Sequence, residues 1–445
     1  MIPVFKKKYK LIIWLLLVSN ITLLIGALLF FDYYKKRKIN QYNTLFENKQ
    51  EEIKNIESIF SHYYHTSKKF VFNRKETKII NSEKNSYILN KIDTNLYFAK
   101  VTGKSSAYLE LYENDLILAS ASGLFFKIKD EQLDNQKITP KKINSNIEKF
   151  FYNKKFYLRS NFGIKDILVH HDELYVSYNN EFKKNCYNTG VLKAKINENF
   201  LIFKKFFNHH ECKSEENSKY KTFSVNQAGG RFIDFKENFL LTHGSYSEFD
   251  EVQDSKSIFG KILMIDKNGN LKKIYSKGHR NPQGLNLFEN NIIFQTEHGP
   301  SGGDEINIIK EDQNYGWPLA SYGNHYEGQS HVGTYYPLPK PHDNFVEPIK
   351  FFKKSIAISQ IINVPNIFDK TSKSSIFLAS MKINEDYGEK INLYKFKFKE
   401  KNLNLDDIIP IGERIRDIIY SEKRNELIMF LDTSASIAFL SAAKK

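Results

Sequence analysis

Cysteine is nearly absent: the 445-residue chain has two, Cys186 and Cys212. So few thiols exclude a small disulfide-stapled scaffold and leave one pairing at most. In an exported domain a surviving pair is most simply a disulfide; two reduced buried thiols are the rival reading. The stretch HHEC, residues 209–212, sets one cysteine beside two adjacent histidines. Adjacent ligands do not supply tetrahedral spacing, so no metal centre is expected there. No recognisable nucleic-acid module occurs. The formal net charge of +15 would attract polyanions or anionic lipid. Heavy use of Lys beside Asn and Ile accounts for it equally, and no nucleic-acid partner is expected.

Charge is missing altogether from residues 11–31, LIIWLLLVSNITLLIGALLFF. A bilayer-crossing helix needs about 20 apolar residues. The run therefore predicts an uncleaved N-terminal transmembrane helix as membrane anchor, with residues 1–10 as a cytoplasmic N-terminus. A cleavable signal peptide is the rival; its apolar region is normally shorter, and no A-x-A site follows. Lys6, Lys7, Lys8 and Lys10 precede the run, and Lys35, Lys36, Arg37 and Lys38 follow it. Flanking charge therefore does not fix the orientation. Residues 32–94 read as a stalk or linker, partly helical, with Leu45, Ile53, Ile56 and Phe60 at helical spacing.

What is present is material for strands. Hydrophobic residues make up 41%, enough for a sizeable core, and aromatics 14%, mostly Phe and Tyr. From about residue 95 short apolar segments recur after polar turns. They lie near Leu116, Leu174, Phe239, Ile292, Ile376 and Leu427. In most copies a second apolar segment comes just before the turn, so each copy predicts a β-hairpin. All-strand repetition at intervals of roughly 50–85 residues implies radial architecture. The expectation is an all-β, six-bladed β-propeller over residues 95–445. The longest interval holds an insertion, residues 313–365, rich in Gly, Pro, Tyr and His. Such insertions commonly build a ligand site.

Three polar clusters fall at matching places in their repeats. GHRNPQG, residues 278–284, opens the fourth hairpin and EHGPSGGDEIN, residues 297–307, closes it. RIRD, residues 414–417, opens the last, and Lys382 follows the fifth. Inner strands line a propeller's channel, so Arg280, Lys382, Arg414 and Arg416 are candidates to converge. Four cations near one axis repel and need an anion; a ligand with several carboxylates suits Arg's planar donors. Surface cations or interblade salt bridges are the alternative. The Gly-Pro and Gly-Gly pairs can expose carbonyls of Gly299 and Pro300, with charge from Asp304 and Glu305, as a hard-cation site. A plain Gly-rich loop capped by Asp304 is the other reading.

These motifs, with NYGWPLASYG and GKILMID, resemble the soluble-type glucose/sorbosone and aldose sugar dehydrogenases that use pyrroloquinoline quinone (PQQ) on a six-bladed propeller. The likeness covers roughly residues 95–440 and is strongest over 260–323. It implies that Lys382, Arg414 and Arg416 hold the carboxylates of PQQ, with Asn281 nearby. Arg280 would sit beside the reactive quinone carbonyls and stabilise negative charge. The carbonyls of Gly299 and Pro300 would bind Ca²⁺. It also implies a periplasmic propeller, anchored by one helix in the inner membrane, that oxidises the CH–OH group of an aldose or related alcohol. The sequence does not identify the electron acceptor.

The chain departs from the family where proton abstraction is expected. Gln227 stands at the family's His position and Ser245 at that of its supporting Asp. The Gln expected in a Gly-rich stretch of the second blade has no clear counterpart either. A Gln amide cannot accept a proton near neutral pH. His243, two residues before Ser245 and on the same face of a strand, is a candidate substitute base; a structural His is the alternative. The sequence thus leaves two functions open: a PQQ-dependent sugar dehydrogenase, or a catalytically degenerate propeller that binds PQQ, Ca²⁺ or sugar, or acts as an interaction scaffold, without turnover.

Overall fold

The structure is a computed structural model that describes residues 69–96, 106–150, 163–288, 291–328, 330–365, 368 and 374–443. Of the N-terminal segment it describes 14, 18, 19, 23–39, 41, 44, 45 and 49. The chain divides into two compact units, Met1–Phe60 and Ser61–Lys445.

In the first unit residues 23–39 form an exposed helix. Its second half carries Asp32, Lys35, Lys36, Arg37 and Lys38, with Lys36 and Asp32 paired at 2.9 Å. Among the described residues no helix is long and apolar enough to cross a membrane. The expected transmembrane anchor is corrected accordingly, and the single-pass inner-membrane placement with a periplasmic propeller goes with it. Much of the 11–22 stretch, and nearly all of the helical spacing seen around Ile53 to Phe60, lies outside the described residues.

The second unit is an all-β propeller. Each of the six recurrent segments forms an antiparallel hairpin. Glu113, His171, Lys236, Asn291 and Asn425 take positive φ in or beside the turns of five of them, the backbone that short hairpin connections demand. Three blades have four strands: Ile164–His170 to Lys204–Phe207, Pro282–Phe288 to Lys350–Phe352, and Ile358–Pro365 to Asn402–Ile409. Two have a fifth, short strand borrowed from later in the chain and paired in parallel. Phe200–Leu201 joins the blade begun by Ala107–Tyr112, and Gln313–Asn314 the blade begun by Gly229–Phe235.

The expectation of six like blades is corrected. Five blades are built mainly from consecutive chain, and the remaining sheet is a seven-stranded closure drawing on both ends of the unit. In it Ser436–Ala442 pairs with Ser86–Asp93 in register Ser436↔Asp93 to Ala442↔Tyr87. Phe72–Arg74 and Lys78–Asn81 join it from the same N-terminal side, and Lys137–Ile138 completes it against Phe72–Arg74. Strands thus begin inside the stretch read from sequence as a stalk.

Aromatic side chains fill the wedges between sheets. Tyr175, Phe206, Phe232 and Phe239 pack together between the second and third blades, with Phe232 and Phe239 ring centres 4.8 Å apart. Each such side chain contributes roughly 1.5–3 kcal/mol on burial. This rigid packing fixes the inner strands, whose ends carry the polar clusters.

Candidate functional site

The GHRN turn is held from three sides. Gly278 has φ of 83°, and a Cβ there would meet Asn314 Oδ1 at 2.3 Å, so only glycine fits. His279 stacks on Tyr315 with ring centres 4.9 Å apart. Its ring nitrogens face Ser276 Oγ at 2.8 Å and Glu297 Oε1 at 3.2 Å. Glu297, buried at the end of the partner strand Ile292–Glu297, accepts the Arg280 backbone N–H through Oε2 at 2.6 Å. On the other side Ser245 N–H donates to the Arg280 carbonyl at 2.8 Å.

The Arg280 side chain is thereby aimed. Its Nη1 donates to the carbonyls of His298 at 3.0 Å and Gly299 at 2.6 Å. The guanidinium lies 5.3 Å from the Trp317 ring centre and 5.6 Å from that of Tyr326, both from the long insertion. Burial pulls its pKa below the ordinary value, against Tyr326, Asp304 and Glu297. Its Nε is buried with no hydrogen-bond partner.

Next to it opens a cavity of about 460 Å³, lined among others by His298, Gly299, Pro300, Tyr326, Lys353 and Lys382. Lys382 is exposed there. Arg414 reaches the neighbouring residue: its Nη1 donates to the Met381 carbonyl at 2.6 Å, and its Nε is a second buried donor without a hydrogen bond. Arg416 is turned to Asp432, with Nη2 at 2.7 Å and Nε at 3.1 Å from Oδ2. Asn281 Oδ1 accepts from Gln283 at 2.8 Å. The structure therefore brings Gly299, Pro300 and Lys382 onto one cavity. Arg280 adjoins it through the carbonyls of His298 and Gly299, Arg414 reaches the Met381 carbonyl next to Lys382, and Arg414 and Arg416 share Asp432 at 3.8 and 2.7 Å.

The carboxylates expected to charge a cation site do other work. Asp304 accepts the Gly299 N–H at 3.2 Å, the Ser355 hydroxyl at 2.8 Å and the Ile356 N–H at 2.9 Å. Burial, reinforced by the charge of Glu297, pushes the Glu305 carboxyl well above the usual carboxylate range. No group of three or more His, Cys, Asp or Glu that could hold a metal occurs among the described residues.

Gln227 closes a short 3₁₀ turn, Val225–Gln227, capped by Ser224. Its Oε1 accepts from Ser245 Oγ at 2.8 Å. His243 is fully buried: Nε2 accepts the Thr189 N–H at 3.1 Å and Nδ1 faces the Gly244 carbonyl at 3.0 Å. Both nitrogens serve the backbone, and burial depresses its pKa to about 3. That is the arrangement of a structural histidine. Cys186 and Cys212 form a disulfide with Cα atoms 5.3 Å apart.

Sequence reasoning missed a buried network at the axis. Arg231 Nη1 lies 2.7 Å from Asp166 and 2.8 Å from Asp417, on three different inner strands. Burial lifts Asp166 to about 7 despite Arg231. Arg231 and Asp417 lie in stretches the sequence singles out, as does Glu297, but nothing in the local pattern marks them, Asp166 or Asp432 as partners.

The comparisons bear on family and fold. The family model described as Glucose / Sorbosone dehydrogenase matches residues 115–438. The aldose sugar dehydrogenase YliI of Escherichia coli (strain K12) is 29% identical over 217 residues, 44% of this chain and 55% of that protein. Quinoprotein glucose dehydrogenase B of Acinetobacter calcoaceticus is 40% identical over 82 residues, 16% of this chain and 17% of that one. The chain thus spans about half the length, or less, of the curated relatives it matches. The apo soluble aldose sugar dehydrogenase of Escherichia coli superposes with a TM-score of 0.59 at 18% identity, covering 83% of this chain and 99% of that one. The PQQ-bound aldose sugar dehydrogenase of Streptomyces coelicolor gives 0.55 at 16% identity, covering 84% and 98%. At such identities the superpositions show the shared fold. The family match covers well over half of the residues, and the chain belongs to the Glucose / Sorbosone dehydrogenase family.

Proposed function

We propose that this chain is a quinoprotein-type oxidoreductase acting on the CH–OH group of an aldose or related alcohol, with PQQ as cofactor. The observation that carries the reading is a group of cations gathered around one cavity. Nε of Arg280 and Nε of Arg414 are buried without hydrogen-bond partners, and Lys382 lies exposed on the 460 Å³ cavity. A ligand with several carboxylates suits such a group of cations. Arg280, Lys382 and Arg414 would hold it, with Asn281 beside them; Arg416 fits less well because it sits closer to Asp432, at 2.7 Å against 3.8 Å for Arg414 Nε. Bound PQQ supplies the acceptor for hydride leaving a sugar C–H bond. Arg280, between Trp317 and Tyr326 and away from water, is placed to stabilise negative charge developing next to it.

Ca²⁺ fits the donors poorly. The Gly299 carbonyl already faces the Arg280 guanidinium, Asp304 is spent on backbone and Ser355, and burial disfavours the charged form of Glu305. A Ca²⁺ ion would have to draw most of its six to eight oxygens from the cofactor and water.

A second reading, binding without turnover, is favoured by the Gln227–Ser245 pair. Neither residue accepts a proton at neutral pH, and His243 is committed to Thr189 and Gly244. Loss of a general base typically costs about a hundred- to ten-thousand-fold in rate. Purified protein titrated with PQQ and then with D-glucose separates the two. Bleaching of a bound-quinone band supports the oxidoreductase; a bound quinone that sugar leaves unchanged supports binding alone; no bound quinone refutes both.

A further inference from the structure

The cavity beside Arg280 holds a cation that the quinone reading leaves unused. Its wall includes three lysines, Lys353, Lys354 and Lys382, and one carboxylate, Glu385. Glu385 does not answer all three. Its Oε2 lies 3.4 Å from Lys354 Nζ, and Asp386 Oδ1 lies 2.8 Å from the same nitrogen. Lys354 is therefore matched by two acids. Lys353 and Lys382 are exposed, and their ammonium groups have no hydrogen bond or ion pair among the described residues. Two like charges on the wall of one cavity raise its potential and draw in anions.

The fold keeps both lysines on that wall. Buried Asp304 accepts the Ser355 hydroxyl at 2.8 Å and the Ile356 N–H at 2.9 Å, which pins the segment just after Lys353. The Ile356 carbonyl in turn accepts the N–H groups of Met381 at 3.1 Å and Lys382 at 3.0 Å. On the other side a Cβ at Gly302 would meet the Lys353 carbonyl at 2.2 Å, so glycine lets the two segments touch. The backbone at each lysine is thus set by contacts that owe nothing to the lysine's charge. Tyr326 and Ile383, each 46% exposed, add apolar surface to the wall that suits the C–H face of a sugar ring. With Lys382 given to the cofactor, a neutral sugar leaves Lys353 to water. A sugar with an anionic group gains a charge-assisted hydrogen bond from it. The flexible four-carbon stem lets the ammonium follow the anion.

We propose that Lys353 selects an anionic sugar, an aldose that carries a phosphate or carboxylate away from its reacting CH–OH group. This rests on the reading of the cavity as a sugar site. It makes Lys353 a specificity-determining residue and leaves the quinone to the other cations.

Calorimetric titration tests it, with D-glucose 6-phosphate, D-glucuronate and D-glucose. Each is titrated into the full chain with and without PQQ, and quinone loading is read separately by absorbance. The expected result is that at least one anionic sugar binds at least about tenfold more tightly than glucose at low salt; which of the two leads distinguishes phosphate from carboxylate. Added salt should erode that preference. Lys353→Gln should shrink it to within about threefold on the loaded protein and leave PQQ affinity unchanged. Lys401→Gln is the control for net charge: this exposed lysine sits in the turn between Leu393–Lys399 and Asn402–Ile409, at the end of the blade opposite Lys382, and the preference should survive its loss. Unchanged far-ultraviolet dichroism certifies that the variants fold. Glucose binding as tightly as both anionic sugars, or no sugar binding in either state, overturns the proposal. So does a preference that Lys401→Gln lowers as much as Lys353→Gln, or a loss of PQQ affinity in Lys353→Gln. Failure of PQQ to load, with the preference intact on the unloaded protein, overturns the quinone reading and leaves this one standing.

Discussion

Glu297→Gln should loosen the GHRN turn and weaken quinone binding together. The carboxylate is 4% exposed and meets only donors: the Arg280 N–H at 2.6 Å on one oxygen, and His279 at 3.2 Å with Asn307 at 3.3 Å on the other. An amide of the same shape must set its NH₂ against one of these sets. The less costly choice faces His279, which can change tautomer and donate to Ser276 instead. Asn307 keeps Gln295 Oε1 at 3.2 Å. What is lost is the charge on the bonds to Arg280 and His279, about 1.5–3 kcal/mol. In a β unit of this size, with unfolding entropy of about 2.1 cal/mol/K per residue, that lowers Tm by roughly 2–4 °C. A displaced Arg280 should also weaken PQQ binding by about ten- to a hundredfold. Melting curves and quinone titrations on the same preparation read both effects. A Tm within about 1 °C of wild type together with unchanged quinone affinity would show that Glu297 does not hold the turn.

Three further outcomes are expected. Lys165, whose pKa burial lowers to about 7, binds fewer protons folded than unfolded between about pH 7 and 10. Its contribution to stability therefore rises with pH across that window, and Lys165→Met should flatten the rise in Tm from pH 8 to 9.5. Opening the Cys186–Cys212 bond, which closes a loop of sequence separation 26, should cost about 3–4 kcal/mol, read as a lower melting temperature in reductant and in the Cys186→Ser/Cys212→Ser protein alike. Ca²⁺ at millimolar concentration without PQQ should leave Tm unchanged; a clear upward shift would mean that the chain alone provides a cation site.

The hairpins and the GHRN turn were legible because their signals are local. Alternation, polar turns and glycine spacing are written within ten residues of each element. Long-range pairing leaves no such trace. Ser86–Asp93 was read with a stalk because its partner, Ser436–Ala442, lies at the far end of the sequence. For the same reason the closing sheet, with strands from both ends, was taken for one more blade like the others. The uncharged 11–31 run suggested a membrane span, yet the described helix runs into Asp32, Lys35, Lys36, Arg37 and Lys38. In the site, composition named Asp304 and Glu305 as charge donors. Only the fold shows one consumed by backbone N–H groups and the other buried, with its pKa pushed up. His243 was a candidate base until Thr189 and Gly244 took both nitrogens.

The central claim is that Arg280, Arg414 and Lys382 together hold a multiply carboxylated quinone. Equilibrium titration of the purified chain with PQQ, followed by the absorbance of the bound quinone, tests it most directly. Saturable binding at one site per chain, weakened at least about tenfold in Lys382→Gln and in Arg280→Gln, is the predicted result. No saturable binding, or binding indifferent to both substitutions, would contradict it.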